Sequence, residues 1–441
     1  MPIPPTSSCR FAAEDLGPEQ RGSTQLVSAM VRSAARGAEP SARSSAATRP
    51  RPRRPRRACL AAAAGLAAGV VAAASSATAE SRPPVALVTL RGPTMGTAYS
   101  VKCWAPGGAT AGRDAADAPE DASLRDAVER VLAEIDVQMS NYRPDSELSQ
   151  FNRAAAGAWF PVSPATALVV SEALRYHRLT QGAFDVTVGP ALALWRFGPQ
   201  GGDDQTAYRA PSDDQLAAAL TRMGADRLAA RLDPPALRKE VDGLEVDLSA
   251  IAKGYGVDAV GERLRELGMT NFMVEIGGEI RAAGVRPDGQ PWRIGIEHPQ
   301  VDRPSLSRVA PLRDLAMATS GDYRNFRRHD GRRFSHVLDP RTARPIPYRG
   351  VSVTVVAATC MEADALATAL LVMPPAEAYA WCEREQVAAL FHFREPPAAS
   401  GPTAAASASG DDFVVRSTAR FRTLVPEISP PPTVGPASAP R

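Results

Sequence analysis

The stretch VSVTVVAATCMEADALATALLVM, residues 351–373, constrains the fold more than any other. Its first eight residues are mostly apolar, with Ser352 and Thr354 giving enough alternation for a strand. Thr359 then offers a hydroxyl N-cap and Glu362 follows three residues later, the pattern of a capping box. The spacing therefore predicts a strand over 351–358 and a helix starting near Cys360. That helix carries Asp364 and Thr368 four residues apart, and so on one face. Around them stand Ala363, Ala365, Leu366, Ala369, Leu370 and Leu371. A carboxylate in such company needs a hydrogen-bond donor, a paired charge or a cation. Backbone donors of the first turn are one solution, with Thr368 bonding a carbonyl one turn back. A bound cation is the other.

The ends of the chain read differently from its middle. Residues 1–57 are rich in Arg, Ser, Ala and Pro without apolar periodicity, which predicts a disordered extension. Residues 58–79 follow the basic run RPRRPRR with a small-residue apolar segment ending in ATA, the pattern of an export signal. An uncleaved membrane anchor is the alternative. Residues 1–79 hold 11 Arg and four acids, which leaves 40 basic and 44 acidic residues in 80–441. The exported part is therefore slightly acidic, and no nucleic-acid surface is expected. Its three cysteines, Cys103, Cys360 and Cys382, form neither a disulfide framework nor a zinc pattern.

Between the ends, the pattern predicts a folded region of intermingled strands and helices, with a flexible insertion at 394–412 and a disordered tail at 427–441. The first strand is expected from Val85, after which 105–120 reads as a surface loop. Helices are expected over 123–140, 164–180, about 248–268 and 376–386. In the third of these, Asp247 or Ser249 offers a cap, and Ile251, Tyr255, Val257, Val260, Leu264 and Leu267 share one side. Residues 199–214 read as a loop. Strands are expected at 271–276, 292–297, 334–338 and 388–393, and a last one over 413–425.

Four clusters carry chemistry. In RGPTMGTAYSV, Met95 follows a strand and offers a flexible thioether to a flat ligand or to the core. In QGAFDVTVGP, Gly182 permits close approach, and Phe184 with Asp185 sets an apolar face beside an acceptor. In VDLSAIAKGYGVD, Lys253 lies near a helix start kept bare by Gly254 and Gly256, a candidate phosphate site. The glycines of EIGGEI allow another close approach at a strand. In ATSGDYRNFRRHDGRRFSHVLDPRTARPI, Ser320 and Gly321 read as a turn, and His336 precedes a DP turn.

Taken in order, TMGT, MSNYRPDSELSQFN, GAFDVTVGP, VDLSAIAKGYGVD, EIGGEI, TSGDYRNF, SHVLDPRT and ADALATALLVM resemble the ApbE-type FAD:protein FMN transferases over about residues 86–425. The resemblance implies an α/β (α+β mixed) fold over residues 86–425, compact, with mixed β-sheets packed with helices. It implies an exported enzyme, in the periplasm or on the outer face of the inner membrane. Such an enzyme uses Mg²⁺ to transfer FMN from FAD to a threonine hydroxyl of an acceptor protein and releases AMP. The acceptor it implies is a membrane redox subunit or related electron carrier.

By the same resemblance, Asp364, Thr368 and the backbone carbonyl of Ala250 are magnesium ligands, hard oxygens of the kind Mg²⁺ prefers. Met95, Tyr142, Ala183, Phe184, Asp185, Asp247 and Lys253 match FAD-contacting positions. Ser320 and His336 match positions near the diphosphate and the reaction centre. His336 or Asp364 is eligible as the base for the acceptor hydroxyl. Two rivals share these residues: a FAD diphosphatase, with water replacing the acceptor, and a periplasmic flavin-binding protein without turnover.

Overall fold

The computed structural model describes residues 87–104, 119–198, 209–299, 305–322, 326–329, 332–347, 352–394 and 413–426. The expected leader, the tail and the insertion apart from Arg394 lie outside them, as do most of the loop at 105–120 and residues 199–208 of the loop at 199–214.

In chain order the strands are β1 (Val88–Thr94), β2 (Thr97–Trp104), β3 (Phe160–Pro161), β4 (Leu228–Leu232), β5 (Pro235–Lys239), β6 (Asn271–Ile276), β7 (Glu279–Ala283), β8 (Trp292–Glu297), β9 (Leu306–Leu312) and β10 (Leu315–Gly321). They continue with β11 (Phe326–His329), β12 (Arg332–Ser335), β13 (Leu338–Asp339), β14 (Arg344–Pro345), β15 (Ser352–Ala357), β16 (Ala388–Phe393) and β17 (Val414–Ser417). The helices are α1 (Pro119–Met139), α2 (Glu147–Arg153), α3 (Pro164–Leu179), α4 (Gly189–Leu194), α5 (Asp213–Leu220), α6 (Ala252–Glu266), α7 (Cys360–Val372), α8 (Pro375–Arg384) and α9 (Ala419–Leu424).

Eight strands make the central sheet, in the order β1-β2-β6-β7-β10-β15-β16-β17. Every pairing among the described strands is antiparallel. β15 shows why the centre holds. Val353 and Val355 enter the core cluster that contains α7, while Val356 packs into a second cluster on the opposite side. A strand covered on both faces must be apolar almost throughout, which is why SVTVVA reads as it does. The opposite face is covered by the β8–β9 ribbon and α9. Trp292, Ile294 and Ile296 alternate inward along β8 and pack with Phe421 of α9. The turn Met95-Gly96 joins β1 to β2 with φ of 47° and 71°, the left-handed pair that a two-residue hairpin requires.

α7 is buried at 11 of its 13 positions, leaving only Glu362 and Thr368 partly accessible. Fully burying one leucine or methionine side chain contributes about 1.5–3 kcal/mol, so this helix is anchored by its whole circumference. Its Thr359 cap forms as expected, the Oγ1 accepting from the Glu362 N–H at 3.3 Å.

Several expectations are corrected. The first described strand starts at Val88, not Val85. α5 begins at Asp213, inside the expected loop, because Ser212 and Gln215 complete a capping box there. α6 begins only at Ala252, after Ile251, and neither Asp247 nor Ser249 caps it. Leu267 is 41% exposed at its end rather than sharing the buried side. Ser320 and Gly321 are not a turn but the end of β10, paired with Val353 and Ser352 of β15. The segment 334–338 is split between β12 and β13. The last strand stops at Ser417, where Thr418 accepts from the Phe421 N–H and starts α9.

Candidate active site

A cavity of about 480 Å³ opens where α7, the end of β10, the start of α6 and the 183–188 and 336–340 segments meet. Of the expected site residues, it gathers Tyr142, Ala183, Phe184, Asp185, Asp247, Ala250, Lys253, Ser320, His336, Asp364 and Thr368 along its lining. Met95 is the exception. Its side chain packs at the seam of two hydrophobic clusters, so here it fills core and does not line the cavity.

One side of the cavity is polar. Asp364 is 2% exposed, and its Oδ2 accepts the Gly254 N–H at 3.0 Å. The Lys253 ammonium stands 3.7 Å from the same oxygen and 3.1 Å from Oε1 of Glu279. Burial alone would lower the Lys253 pKa; Asp364 and Glu279 outweigh it and hold the ammonium charged. The Glu279 pKa is raised as well, chiefly by burial, with Lys253 opposing and the Asp364 charge adding to the rise, which favours its neutral form. Its Oε2 is buried and has no hydrogen-bond partner among the described residues. Thr368 Oγ1 and Ser320 Oγ lie 3.0 Å apart, bringing α7 and β10 hydroxyls together. Asp247 accepts the Ser249 N–H at 2.8 Å, and its own N–H donates to Val186.

The other side is apolar, with Phe184, Val186, Val188, Leu192, Phe197, Val337 and Leu338. Phe184 is held edge-on to Tyr176, at 6.2 Å between ring centroids. His336 lies on this side, edge-on to Phe197 at 6.4 Å. Tyr142 is 73% exposed at the rim.

Asp185 lines the cavity and also holds its own loop. Its Oδ1 accepts from the Thr187 N–H at 2.7 Å and the Thr187 hydroxyl at 2.6 Å, and its Oδ2 accepts from the Ala225 N–H at 3.1 Å. His177 Nδ1 adds a contact at 3.3 Å. Although burial works against the charged form, the His177 and Thr187 contacts outweigh it and lower the carboxyl's pKa. The carboxylate thus shapes the loop that presents Ala183 and Phe184.

Sequence reasoning missed Glu279. EIGGEI was read for its glycines, although its second acid stands beside Lys253. Gly277, with φ of 61°, turns the chain so that β7 starts at that acid.

An apolar wall facing acids, hydroxyls and one lysine suits a ligand with a flat ring at one end and an anionic group at the other. The class so defined is an antiparallel α/β protein with an enzyme-like nucleotide pocket. The model of the ApbE family matches residues 95–391, and the chain belongs to that family. It is 46% identical over 307 residues to a FAD:protein FMN transferase of Vibrio cholerae, covering 70% of this chain and 87% of that one. It is 36% identical over 304 residues to the FAD:protein FMN transferase of Escherichia coli K12, covering 68% and 83%. Among solved structures, the flavin transferase ApbE from Vibrio cholerae superposes with a TM-score of 0.65 at 42% identity, over 77% of this chain and 99% of that chain. The apo form of the Pseudomonas stutzeri flavinyl transferase ApbE gives 0.65 at 37% identity, over 77% and 97%.

Proposed function

We propose that this protein is a magnesium-dependent FAD:protein FMN transferase, which moves FMN from FAD onto a threonine hydroxyl of an acceptor protein and releases AMP. The observation that carries this reading is the single cavity that joins a wall suited to a flat ring with the polar group of Lys253, Asp364, Thr368 and Ser320. The names of its relatives point the same way.

The residues present fit a hard divalent cation. The polar side holds the carboxylates of Asp364 and Asp247 against the Lys253 ammonium, while burial favours the neutral form of Glu279, so negative charge still exceeds positive and would repel a diphosphate unless a cation were present. Asp364, Thr368 and the Ala250 carbonyl are the ligands we assign, oxygens of the kind Mg²⁺ takes alongside substrate phosphates. When bound, Mg²⁺ neutralises charge on the diphosphate oxygens and orients them.

The chain's own residues then have distinct tasks. Phe184 and the branched side chains around it bind the flat ring. Lys253, fixed by two carboxylates, presents positive charge toward the diphosphate. His336 takes the proton of the acceptor hydroxyl. The oxygen of that hydroxyl bonds to the FMN phosphorus, the phosphorus–oxygen bond to AMP breaks, and AMP leaves with the electron pair. Tyr142, exposed at the rim, lies where the acceptor must approach. We further propose that the chain is exported, because residues 58–79 carry the signal pattern, and that its acceptor is a redox protein of the same compartment.

Incubation with FAD, Mg²⁺ and a flavin-accepting domain tests the reading. The expected result is an acceptor heavier by one FMN, on threonine, with AMP released in equal amount. FMN and AMP without added mass would indicate a diphosphatase, and unchanged FAD a binding protein.

A further inference from the structure

α7 carries both side chains assigned to the cation, so whatever fixes α7 along its axis fixes the site. Its first three N–H groups have no partner within the helix. Thr359 takes that of Glu362. The other two, from Cys360 and Met361, go to a residue about a hundred positions earlier, Asp258 of α6. Asp258 Oδ1 accepts from Cys360 at 3.0 Å and Oδ2 from Met361 at 2.9 Å. Asp258 is 4% exposed. Arg281 of β7 backs it, its Nη1 lying 3.1 Å from Oδ1 while its Nη2 reaches Glu262 at 3.1 Å.

Such an arrangement is more than helix capping needs, since a buried carboxylate carries a desolvation penalty that Arg281 must offset. It fixes position instead. Gly254 and Asp258 lie four apart on one face of α6. Gly254 donates to Asp364 Oδ2, and Asp258 accepts from the first turn of α7. The two helices are therefore joined at two points about one turn apart, and neither sliding nor rotation of α7 can occur without breaking one. Lys253, on the same helix, and Ala250, just before it, face the cavity.

We infer that Asp258, buttressed by Arg281, is a positioning residue for the cation site: it sets the register of α7 against α6 so that Asp364 and Thr368 meet Ala250 at the spacing a divalent ion needs. This inference rests on the cation reading above. Full-length protein is titrated with Mn²⁺ without FAD and followed by electron paramagnetic resonance, beside circular dichroism and steady-state kinetics. Asp258→Asn keeps the shape but replaces one acceptor by a donor facing N–H groups. It is expected to weaken Mn²⁺ binding about tenfold or more, as loss of a ligand-orienting partner does. The turnover number should fall while the KM for FAD changes little. Arg281→Met leaves the Asp258 bonds to α7 in place and should shift Mn²⁺ affinity the same way by less; it also serves if Asp258→Asn does not fold. Mn²⁺ binding in the folded variants within twofold of the parent, with only a lower melting temperature, would overturn the inference. A parent chain that binds no Mn²⁺ would instead overturn the cation reading, and this inference with it.

Discussion

The closest backbone approach at the site is at Gly254, and a single methyl group tests it. A Cβ there would lie 2.5 Å from the Cys360 carbonyl oxygen and 2.8 Å from both the Cys360 carbon and Met361 Cα. All three are backbone atoms of α7, so no side-chain rotation relieves the clash. Restoring ordinary contact separates the helices by roughly 1 Å, an overpacking that costs about 1–3 kcal/mol. The same shift stretches the 3.0 Å bond from Gly254 to Asp364 beyond useful length, and a hydrogen bond to a charged group contributes about 1.5–3 kcal/mol. Alanine returns about 1 kcal/mol of helix propensity. Gly254→Ala should therefore destabilise the fold by about 1.5–5 kcal/mol and weaken divalent-cation binding in the molecules that fold. Urea denaturation reads the first and Mn²⁺ titration the second. Gly261→Ala on the same helix is the control. Its added Cβ meets only side-chain atoms, Phe272 at 3.2 Å and 3.3 Å and the Arg281 stem at 3.4 Å, so a shift of a few tenths of an ångström suffices and no backbone atom of α7 is displaced. Stability should change there by less than about 1 kcal/mol. If Gly254→Ala matched the Gly261→Ala protein in stability and cation affinity, the argument that this glycine sets the helix spacing would be wrong.

Asp364→Ala should abolish transfer chiefly by removing the cation, whereas Thr368→Ala, which removes a neutral oxygen, should respond to higher Mg²⁺; a magnesium titration of initial rates compares them. His336→Asn should bind FAD normally and transfer FMN about 10²–10⁴-fold more slowly, the range for losing a general base, as single-turnover assays would show. Stability should also depend on His392, which is fully buried and whose pKa burial lowers from 6.5 to about 4, with His298 and Arg308 adding to the drop. Because the folded value lies below the unfolded one, the contribution is intact above pH 6.5 and is lost as pH falls toward 4, by roughly 3 kcal/mol in all. Denaturation midpoints between pH 7 and 4.5 should fall in the parent and fall less in His392→Gln.

Much of this was legible from one-dimensional pattern, for a physical reason. The 351–373 unit is a strand buried on both faces and a helix buried almost all round, and burial of that extent leaves a strong apolar signature. The helix cap at Thr359 was a local signal as well. What failed was set by tertiary contact. Ser320 and Gly321 look like a turn, yet β15 offers a ladder that draws them into a strand. Asp247 looks like a cap, yet its N–H is held by Val186 and α6 starts later. At Asp185 the pattern suggests an acceptor beside an apolar face, and the residue does line the cavity. The Thr187 and Ala225 partners of its carboxylate are visible only once the loop is folded. Glu279 needed knowledge that β7 runs past Lys253, which no local pattern contains.

The nearly complete enclosure of α7 has a consequence for how the enzyme would fail. Most proteins open locally, and elements that line a binding site often fray at little cost, well before the rest unfolds. Here the helix bearing Asp364 and Thr368 lies against β10, β15 and α6, with its first turn tied to Asp258. Its backbone amides have no low-energy route to solvent. In hydrogen–deuterium exchange they should belong to the slowest class in the molecule, released only by global opening. Activity lost on heating would then count unfolded molecules instead of loosened ones.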